Sequence, residues 1–148
     1  MLICTGSTLD HRNKHYFSEV LELIKSLNIK SSIKILNYIK KNEQISLMKK
    51  SIAVIQPTSF EGGPGGGSVK DAIALGVPTI ISDISVNQEI KYKKNFFFRT
   101  NDYFDLSLKM ENILKYKFQI LNNKEIIFNS NINEFKKRIF FNKIINDL

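Results

Sequence analysis

Two acidic residues flank a glycine-rich stretch near the middle of the chain, and the residue types suit the binding of a phosphorylated ligand. Glu61 begins the stretch, Asp71 ends it, and between them lie Gly62, Gly63, Gly65, Gly66, Gly67 and Ser68. Glycine allows a positive φ and a close approach of a ligand to the backbone. Free N–H groups at a helix N-terminus attract anions, and carboxylates accept hydrogen bonds from sugar and ribose hydroxyls. We call residues 57–67 the glycine loop and predict a phosphate site there.

Each of the two acids also has an interpretation that involves no ligand. Residues 68–71 read Ser-Val-Lys-Asp, which is the spacing of a capping box, so Asp71 could serve the start of its own helix. Glu61 could be a solvated acid of an exposed loop. The sequence leaves both interpretations open.

Short apolar runs alternate with amphipathic segments along the chain. The apolar runs predict strands at residues 2–5, 33–36 (extending towards 39), 52–56, 79–82 and 96–99. The amphipathic segments predict helices at residues 15–27, 69–75, 104–116 and 132–148, a short helix capped by Asn42, and a helical turn reaching Ile90. Residues 122–131 are predicted to be a loop. Gly76 and Pro78 are expected to end the helix that follows the glycine loop.

This alternation predicts an α/β fold with a doubly wound, Rossmann-like parallel sheet of about five strands and helices on both faces. The length of 148 residues corresponds to a single domain, residues 1–148. In open parallel sheets, ligands bind beyond the carboxyl ends of the strands. Because the glycine loop follows the third predicted strand, we expect it at that edge.

The composition narrows the range of partners. The net charge of +8 suits phosphate-bearing substrates, anionic lipid or nucleic acid, but the Lys and Arg residues are scattered, so we expect no nucleic-acid partner. One cysteine permits no internal disulfide, and no signal peptide or membrane-length apolar run is present, which favours the cytoplasm. No Cys/His cluster has metal-ligand spacing, so we expect no metal site.

Two common phosphate-binding motifs do not fit the glycine loop. A P-loop needs a lysine directly after its last glycine, but Ser68 and Val69 follow Gly67, which argues against an ATPase. A dinucleotide fingerprint follows the first strand of its unit, whereas these glycines come two strands later and Ser68 stands where the third glycine belongs. An NAD-type redox domain therefore remains a lesser alternative.

Residues 57–62 (PTSFEG) and 71–83 (DAIALGVPTIISD) resemble the carboxyl-terminal half of retaining glycosyltransferases of family 4, which have the GT-B fold. The resemblance extends more weakly to residues 2–6 and 35–39. It implies an enzyme that transfers a sugar from a nucleotide-sugar to a glycan or lipid-linked acceptor with retention of configuration. The nucleotide-sugar is a substrate, so no cofactor is expected. Peripheral membrane association of the full enzyme is compatible with the resemblance.

The resemblance also implies roles for individual residues. Glu61 takes the catalytic position near the donor sugar, and Asp71 takes the position that binds ribose. The residues expected to meet the sugar and diphosphate of the donor are Gly62, Gly63, Gly65, Gly66, Gly67 and Ser68. Residues 35–39 correspond to a strand that ends near the nucleobase, which places Tyr38 and Ile39 in the donor site.

The sequence departs from the family in two respects. The second acid of the family would fall at Val69, so Asp71 replaces it only if the glycine loop carries two extra residues. The acceptor domain and the first strand–helix unit of the donor domain are missing, so we expect a carboxyl-terminal piece of a longer enzyme, inactive alone. The first predicted strand would then lie beside a gap or pair directly with residues 52–56. A non-catalytic nucleotide-binding module is the main alternative.

Overall fold

The structure, a computed structural model, describes residues 1–9 and 13–115. The chain divides into an amino-terminal unit, Met1–Gln44, and a carboxyl-terminal unit, Ile45–Leu148. The helix expected over residues 132–148 and the loop expected over 122–131 lie outside the described residues.

The amino-terminal unit contains a pair of parallel strands joined by a helix. Strand β1 (Leu2–Thr5) leads to helix α1 (Tyr16–Ser26), a short 3₁₀ helix (Lys30–Ser32) and strand β2 (Ile33–Leu36). In the β1–β2 ladder, Leu2 lies opposite Ile33 and Thr5 opposite Leu36. Parallel neighbours need a crossover connection, and α1 supplies it. The second strand ends at Leu36 and does not extend towards residue 39.

The carboxyl-terminal unit contains a three-stranded parallel sheet. Helix α2 (Lys41–Lys50) spans the boundary between the units and precedes strand β3. The remaining elements are β3 (Val54–Gln56), α3 (Gly66–Ala74), β4 (Thr79–Ser82), a 3₁₀ helix (Ser85–Glu89), β5 (Asn95–Phe98) and α4 (Tyr103–Lys115). The strand order is β3-β4-β5, with β4 in the centre. All four residues of β4 are buried, because the strand has a neighbour on each side and both faces of the sheet are covered.

Apolar side chains cover both faces of the β3-β4-β5 sheet. On one face, Val54 packs against a cluster formed by α2, α3 and the segment that follows α3, with Met48, Ala72, Leu75 and Val77 as its buried members. On the other face, Ile55 packs against a cluster that includes Ile80, Phe98 and Ile113 of α4. Successive strand residues point to opposite faces, so Val54 and Ile55 contribute to different clusters. The predicted parallel sheet with helices on both faces is therefore confirmed for this unit.

The prediction of one sheet of about five strands is wrong. Five strands are present in the described residues, but their backbone hydrogen bonds form two sheets, β1-β2 and β3-β4-β5. A single sheet would need a further ladder to join the two, and none links the described strands. Direct pairing of the first strand with residues 52–56 is likewise not among their ladders.

Helix α3 begins earlier than the sequence pattern predicts and ends where expected. It starts at Gly66, three residues before the predicted start at Val69, because Gly65 adopts a left-handed conformation and takes the N-cap position. At the other end, Gly76 has a φ of 73°. Its N–H donates to the Ile73 carbonyl at 3.0 Å, and the Val77 N–H donates to the Ala72 carbonyl at 2.9 Å. These two bonds form a Schellman motif, which confirms the predicted helix end.

Candidate functional site

The carboxylate of Glu61 is held at the end of strand β3. The Gln56 side-chain amide donates a hydrogen bond to Glu61 Oε1 at 2.7 Å, and the Thr58 hydroxyl donates to the same oxygen at 3.3 Å. Gln56 is the last residue of β3, so the acid is fixed to a rigid element rather than to the loop alone. Hydrogen bonds to an ionised acceptor are stronger than neutral ones. Glu61 is half-buried, so it is not the fully solvated loop acid of the alternative interpretation.

The same carboxylate lies against the start of helix α3. A Cβ atom at Gly66 would stand 3.1 Å from Glu61 Oε2 and 3.3 Å from Oε1. Gly66 also has a φ of 58°, in the left-handed region that favours glycine. The absence of a side chain at Gly66 therefore lets the acid approach the helix N-terminus, where the helix dipole favours negative charge. The structure thus brings Glu61 together with one of the predicted donor-binding glycines.

Gly65 has a different environment from the other glycines of the loop. Its N–H donates to Asn87 Oδ1 at 2.9 Å, and its φ is 65°. A Cβ at this position would stand 2.6 Å from Val69 Cγ1 and 2.9 Å from Ile90 Cδ1. Gly65 therefore sets the conformation in which the loop enters α3.

Three further glycines face open space. Nothing lies within 4 Å of a Cβ built at Gly62, Gly63 or Gly67. Gly62 and Gly67 are exposed and Gly63 is half-buried, while Ser68 is half-buried in the first turn of α3. The side on which a Cβ would lie is therefore open at these glycines, and glycine at such a position lets a ligand come close to the backbone.

Asp71 lies in the second turn of α3 and is half-buried. A capping box would need Ser68 at the N-cap position, but Gly65 occupies it and Ser68 is the third residue of the helix. The capping interpretation of Asp71 is therefore wrong. Gly67 and Asp71 are four residues apart, which places them on the same side of the helix. Ribose binding by Asp71 stays a prediction.

Tyr38 and Ile39 belong to the amino-terminal unit and follow the end of β2. Tyr38 is 86% exposed, and Ile39 is half-buried. A cavity of about 750 Å³ within the same unit lies between α1 and the two strands, and neither residue lines it. The expected contact of Tyr38 and Ile39 with the nucleobase stays a prediction.

Asp83 links two loops at the carboxyl edge of the β3-β4-β5 sheet. It directly follows β4, and its Oδ1 accepts hydrogen bonds from the Thr100 hydroxyl at 2.7 Å and the Thr100 N–H at 2.8 Å. These bonds, led by that from the hydroxyl, lower the pKa of Asp83 below its ordinary value because they stabilise the charged form. Asp83 and Thr100 therefore hold the residues after β5 against those after β4.

We expect Thr100→Val to raise the pKa of Asp83 towards the ordinary aspartate value, because the variant lacks the hydroxyl donor. A depressed pKa adds stability that is present at neutral pH and is lost as the pH falls below about 4. The variant should therefore be less stable at neutral pH and lose less stability on acidification. A carbon-detected NMR titration of Asp83 checks the pKa, and Thr100→Ser, which keeps the donor, is the control. Equal midpoints in the wild type and Thr100→Val would contradict the assignment.

Among residues 1–9 and 13–115, no group of three or more His, Cys, Asp or Glu side chains is placed to hold a metal ion. Within those ranges, no helix has both the length and the apolar character needed to cross a membrane.

Sequence reasoning missed two residues at this site, Gln56 and Asn87. Gln56 ends an apolar strand, and a polar side chain at that position is the feature of the sequence that could have indicated a role in the site. Asn87 is 22 positions from its partner Gly65, and no local pattern indicates the contact. Both hydrogen bonds depend on how the loop folds back on the sheet.

Parallel strands, helices on both faces of the larger sheet and a glycine loop at its carboxyl edge define a Rossmann-like α/β protein. Over residues 1–139 the sequence matches the family described as Glycosyl transferases group 1. The match covers most of the chain, so the protein belongs to that family. Membership supports a GT-B type carboxyl-terminal domain and glycosyl transfer as the general activity, and does not favour the redox or binding-module alternatives. No curated protein matches the chain.

Proposed function

We propose that this chain is the donor-binding part of a retaining glycosyltransferase of family 4. It binds a nucleotide-sugar, and the sugar passes to a glycan or lipid-linked acceptor. Glu61 lies beside the donor sugar, and Asp71 binds the ribose. The diphosphate is bound by Ser68 and by four glycines of the loop, Gly62, Gly63, Gly66 and Gly67. All of these roles concern the donor, so we expect residues 1–148 to bind it without completing transfer on their own.

The observation that carries the proposal is the position of the Glu61 carboxylate beside Gly66. Glu61 Oε2 lies 3.1 Å from the point that a Cβ atom at Gly66 would occupy. In a nucleotide-sugar the sugar is bonded directly to the diphosphate. A site for this ligand therefore needs an acceptor for sugar hydroxyls next to a phosphate-binding element. Glu61 is such an acceptor, and the N-terminus of α3 has the donors and the dipole that attract phosphate.

Electrostatics support the same assignment. Cleavage of the bond between sugar and diphosphate leaves negative charge on the diphosphate, and backbone N–H groups aimed at that position stabilise it. Gly62, Gly63 and Gly67 have open space on the side where a Cβ would lie, so these N–H groups are the candidates for that role. The net charge of +8 attracts an anionic donor over a longer range.

The proposal predicts that a nucleoside diphosphate stabilises the protein against heat. At about 100 times its dissociation constant a ligand adds roughly 2.7 kcal/mol, which corresponds to a rise in Tm of roughly 5–11 °C for a protein of this size. Thermal unfolding is followed with UDP, GDP, ADP and NAD. We expect one of the three nucleoside diphosphates to raise Tm.

Two variants sharpen this experiment. Asp71→Asn keeps the shape of the side chain but removes its charge, so it should reduce the response to the nucleoside diphosphate. Glu89→Ala changes an exposed acid of the 3₁₀ helix outside the site and should respond like the wild type. A response to NAD alone, or to none of the four compounds, would contradict the proposed function.

A further inference from the structure

A pair of buried polar residues, Ser82 and Asn87, lies beneath the glycine loop. Asn87 is completely buried and Ser82 is 1% exposed. Ser82 ends strand β4, and Asn87 belongs to the 3₁₀ helix that follows. A buried polar side chain is costly unless it makes hydrogen bonds, so the partners of these two residues show what the pair does.

The hydrogen bonds of the pair reach both ends of the glycine loop. At one end, the Ser82 hydroxyl donates to the carbonyl of Thr58. At the other, Asn87 Oδ1 accepts from the Gly65 N–H at 2.9 Å. The Asn87 amide also donates to Ser82, to its carbonyl at 2.9 Å and its hydroxyl at 3.3 Å. The orientation of the amide follows from its partners, because the Gly65 N–H requires an oxygen and the Ser82 carbonyl requires an N–H donor.

We infer that Ser82 and Asn87 are positioning residues that hold the glycine loop in its donor-binding conformation. They connect the start of the loop at Thr58 to its end at Gly65 through the buried carboxyl end of β4. The part of this inference that concerns the donor rests on the proposed function. The part that concerns the shape of the loop rests on the hydrogen bonds alone.

The glycines of the loop have separate roles in this arrangement. The Gly65 N–H is engaged by Asn87, so this residue contributes the conformation of the loop rather than a contact with the diphosphate. Gly66 comes next and is the residue against which Glu61 lies. A loop released from Asn87 would therefore change the surroundings of Glu61 and the open backbone at Gly62 and Gly63 together.

Two variants test the pair at different points. Asn87→Asp keeps the size of the side chain and the acceptor for Gly65, but places an oxygen where the amide donated to the Ser82 carbonyl. Ser82→Ala removes the hydroxyl bond to Thr58 and leaves the bonds of Asn87 to Gly65 and the Ser82 carbonyl in place. Ser82→Ala is the milder change, and it decides the test alone if Asn87→Asp does not fold.

A matched control lies at the other end of the same strand. Thr79 is also completely buried, and its hydroxyl donates to Asn95 Oδ1 at 2.7 Å. Thr79→Val removes one buried hydrogen bond from β4 with little change of shape, but it does so at the end of the strand opposite to Ser82. Thr79→Val therefore shows how much stability the protein loses when a buried hydrogen bond of β4 is removed without a change at the loop.

The experiment measures amide hydrogen exchange in residues 57–68 and the affinity for UDP, GDP and ADP, with each variant kept well below its own Tm. We expect at least tenfold faster exchange in the loop for Asn87→Asp and Ser82→Ala, and about tenfold weaker binding of the preferred nucleoside diphosphate. Thr79→Val should leave both unchanged while lowering Tm.

Each result bears on one proposal or the other. Loop exchange like that of the wild type in the folded variants would overturn the inference. Faster exchange with unchanged affinity would overturn its donor-binding part. If the wild-type protein binds none of the three compounds, the proposed function fails, and the exchange rates still decide whether the pair holds the loop.

Discussion

Glu61→Ala is expected to weaken binding of the nucleotide-sugar by about 10–100-fold, because a hydrogen bond to a charged group contributes roughly 1.5–3 kcal/mol. The affinity for the matching nucleoside diphosphate, which lacks the sugar, should stay within about threefold of wild type or become tighter. Tighter binding would follow from removing a carboxylate near the phosphates. Isothermal titration calorimetry with the two ligands measures the difference, and no acceptor is needed.

Two control variants accompany Glu61→Ala. Glu61→Gln keeps the size of the side chain but loses its charge, so we expect an intermediate loss of affinity for the nucleotide-sugar. Glu89→Ala removes an exposed acid from the same unit and should bind both ligands like the wild type. An equal loss of affinity for both ligands in Glu61→Ala would mean that the acid does not recognise the sugar. An unchanged affinity for both ligands would mean that Glu61 is not part of the donor site.

Gly65→Ala is expected to destabilise the protein by about 2–5 kcal/mol. A non-glycine residue in the left-handed conformation costs roughly 1–2 kcal/mol, and overpacking adds about 1–3 kcal/mol. The new Cβ would stand 2.6 Å from Val69 Cγ1 and 2.7 Å from Val69 Cβ. Val69 is completely buried and its β-branched side chain is stiff, so it cannot turn away. Urea unfolding followed by circular dichroism measures the loss.

Gly63→Ala is the matched control for Gly65→Ala. Nothing lies within 4 Å of a Cβ at Gly63, and its φ is not positive. Replacing glycine by alanine at such a position changes the stability little or raises it by about 0.4–1 kcal/mol. If the two variants unfold at the same urea concentration, the left-handed conformation of Gly65 does not contribute to the stability of the protein as expected.

The sequence was informative about the order of elements and about the ends that have a local cause. Short apolar runs predicted the five strands of the described residues, and helical periodicity predicted helices α1, α3 and α4, because burial of a strand or of one helix face leaves a local pattern. Gly76 marked the end of α3 because a left-handed residue closes a helix in a way that depends only on its neighbours. The start of α3 was missed because the pattern did not show that Gly65 would take the N-cap position.

The pairing of strands and the contacts of the site were less predictable. The division into β1-β2 and β3-β4-β5 depends on hydrogen bonds between distant segments, which no local period specifies. The sequence singled out Glu61 and the glycines, but it did not reveal that Gln56 holds the acid or that Asn87 holds Gly65. Those side chains meet only after the loop folds over the carboxyl edge of the sheet.

The most direct test of the donor site is to map a bound nucleoside diphosphate onto the backbone. The ¹⁵N-labelled protein is titrated with the nucleoside diphosphate that raises Tm most, and amide shifts are followed by NMR. We expect the largest shifts at residues 62–68 and little change at Gly76, which is buried at the opposite end of α3. Saturable shifts that spare residues 62–68 would contradict the assignment of the glycine loop as the diphosphate site.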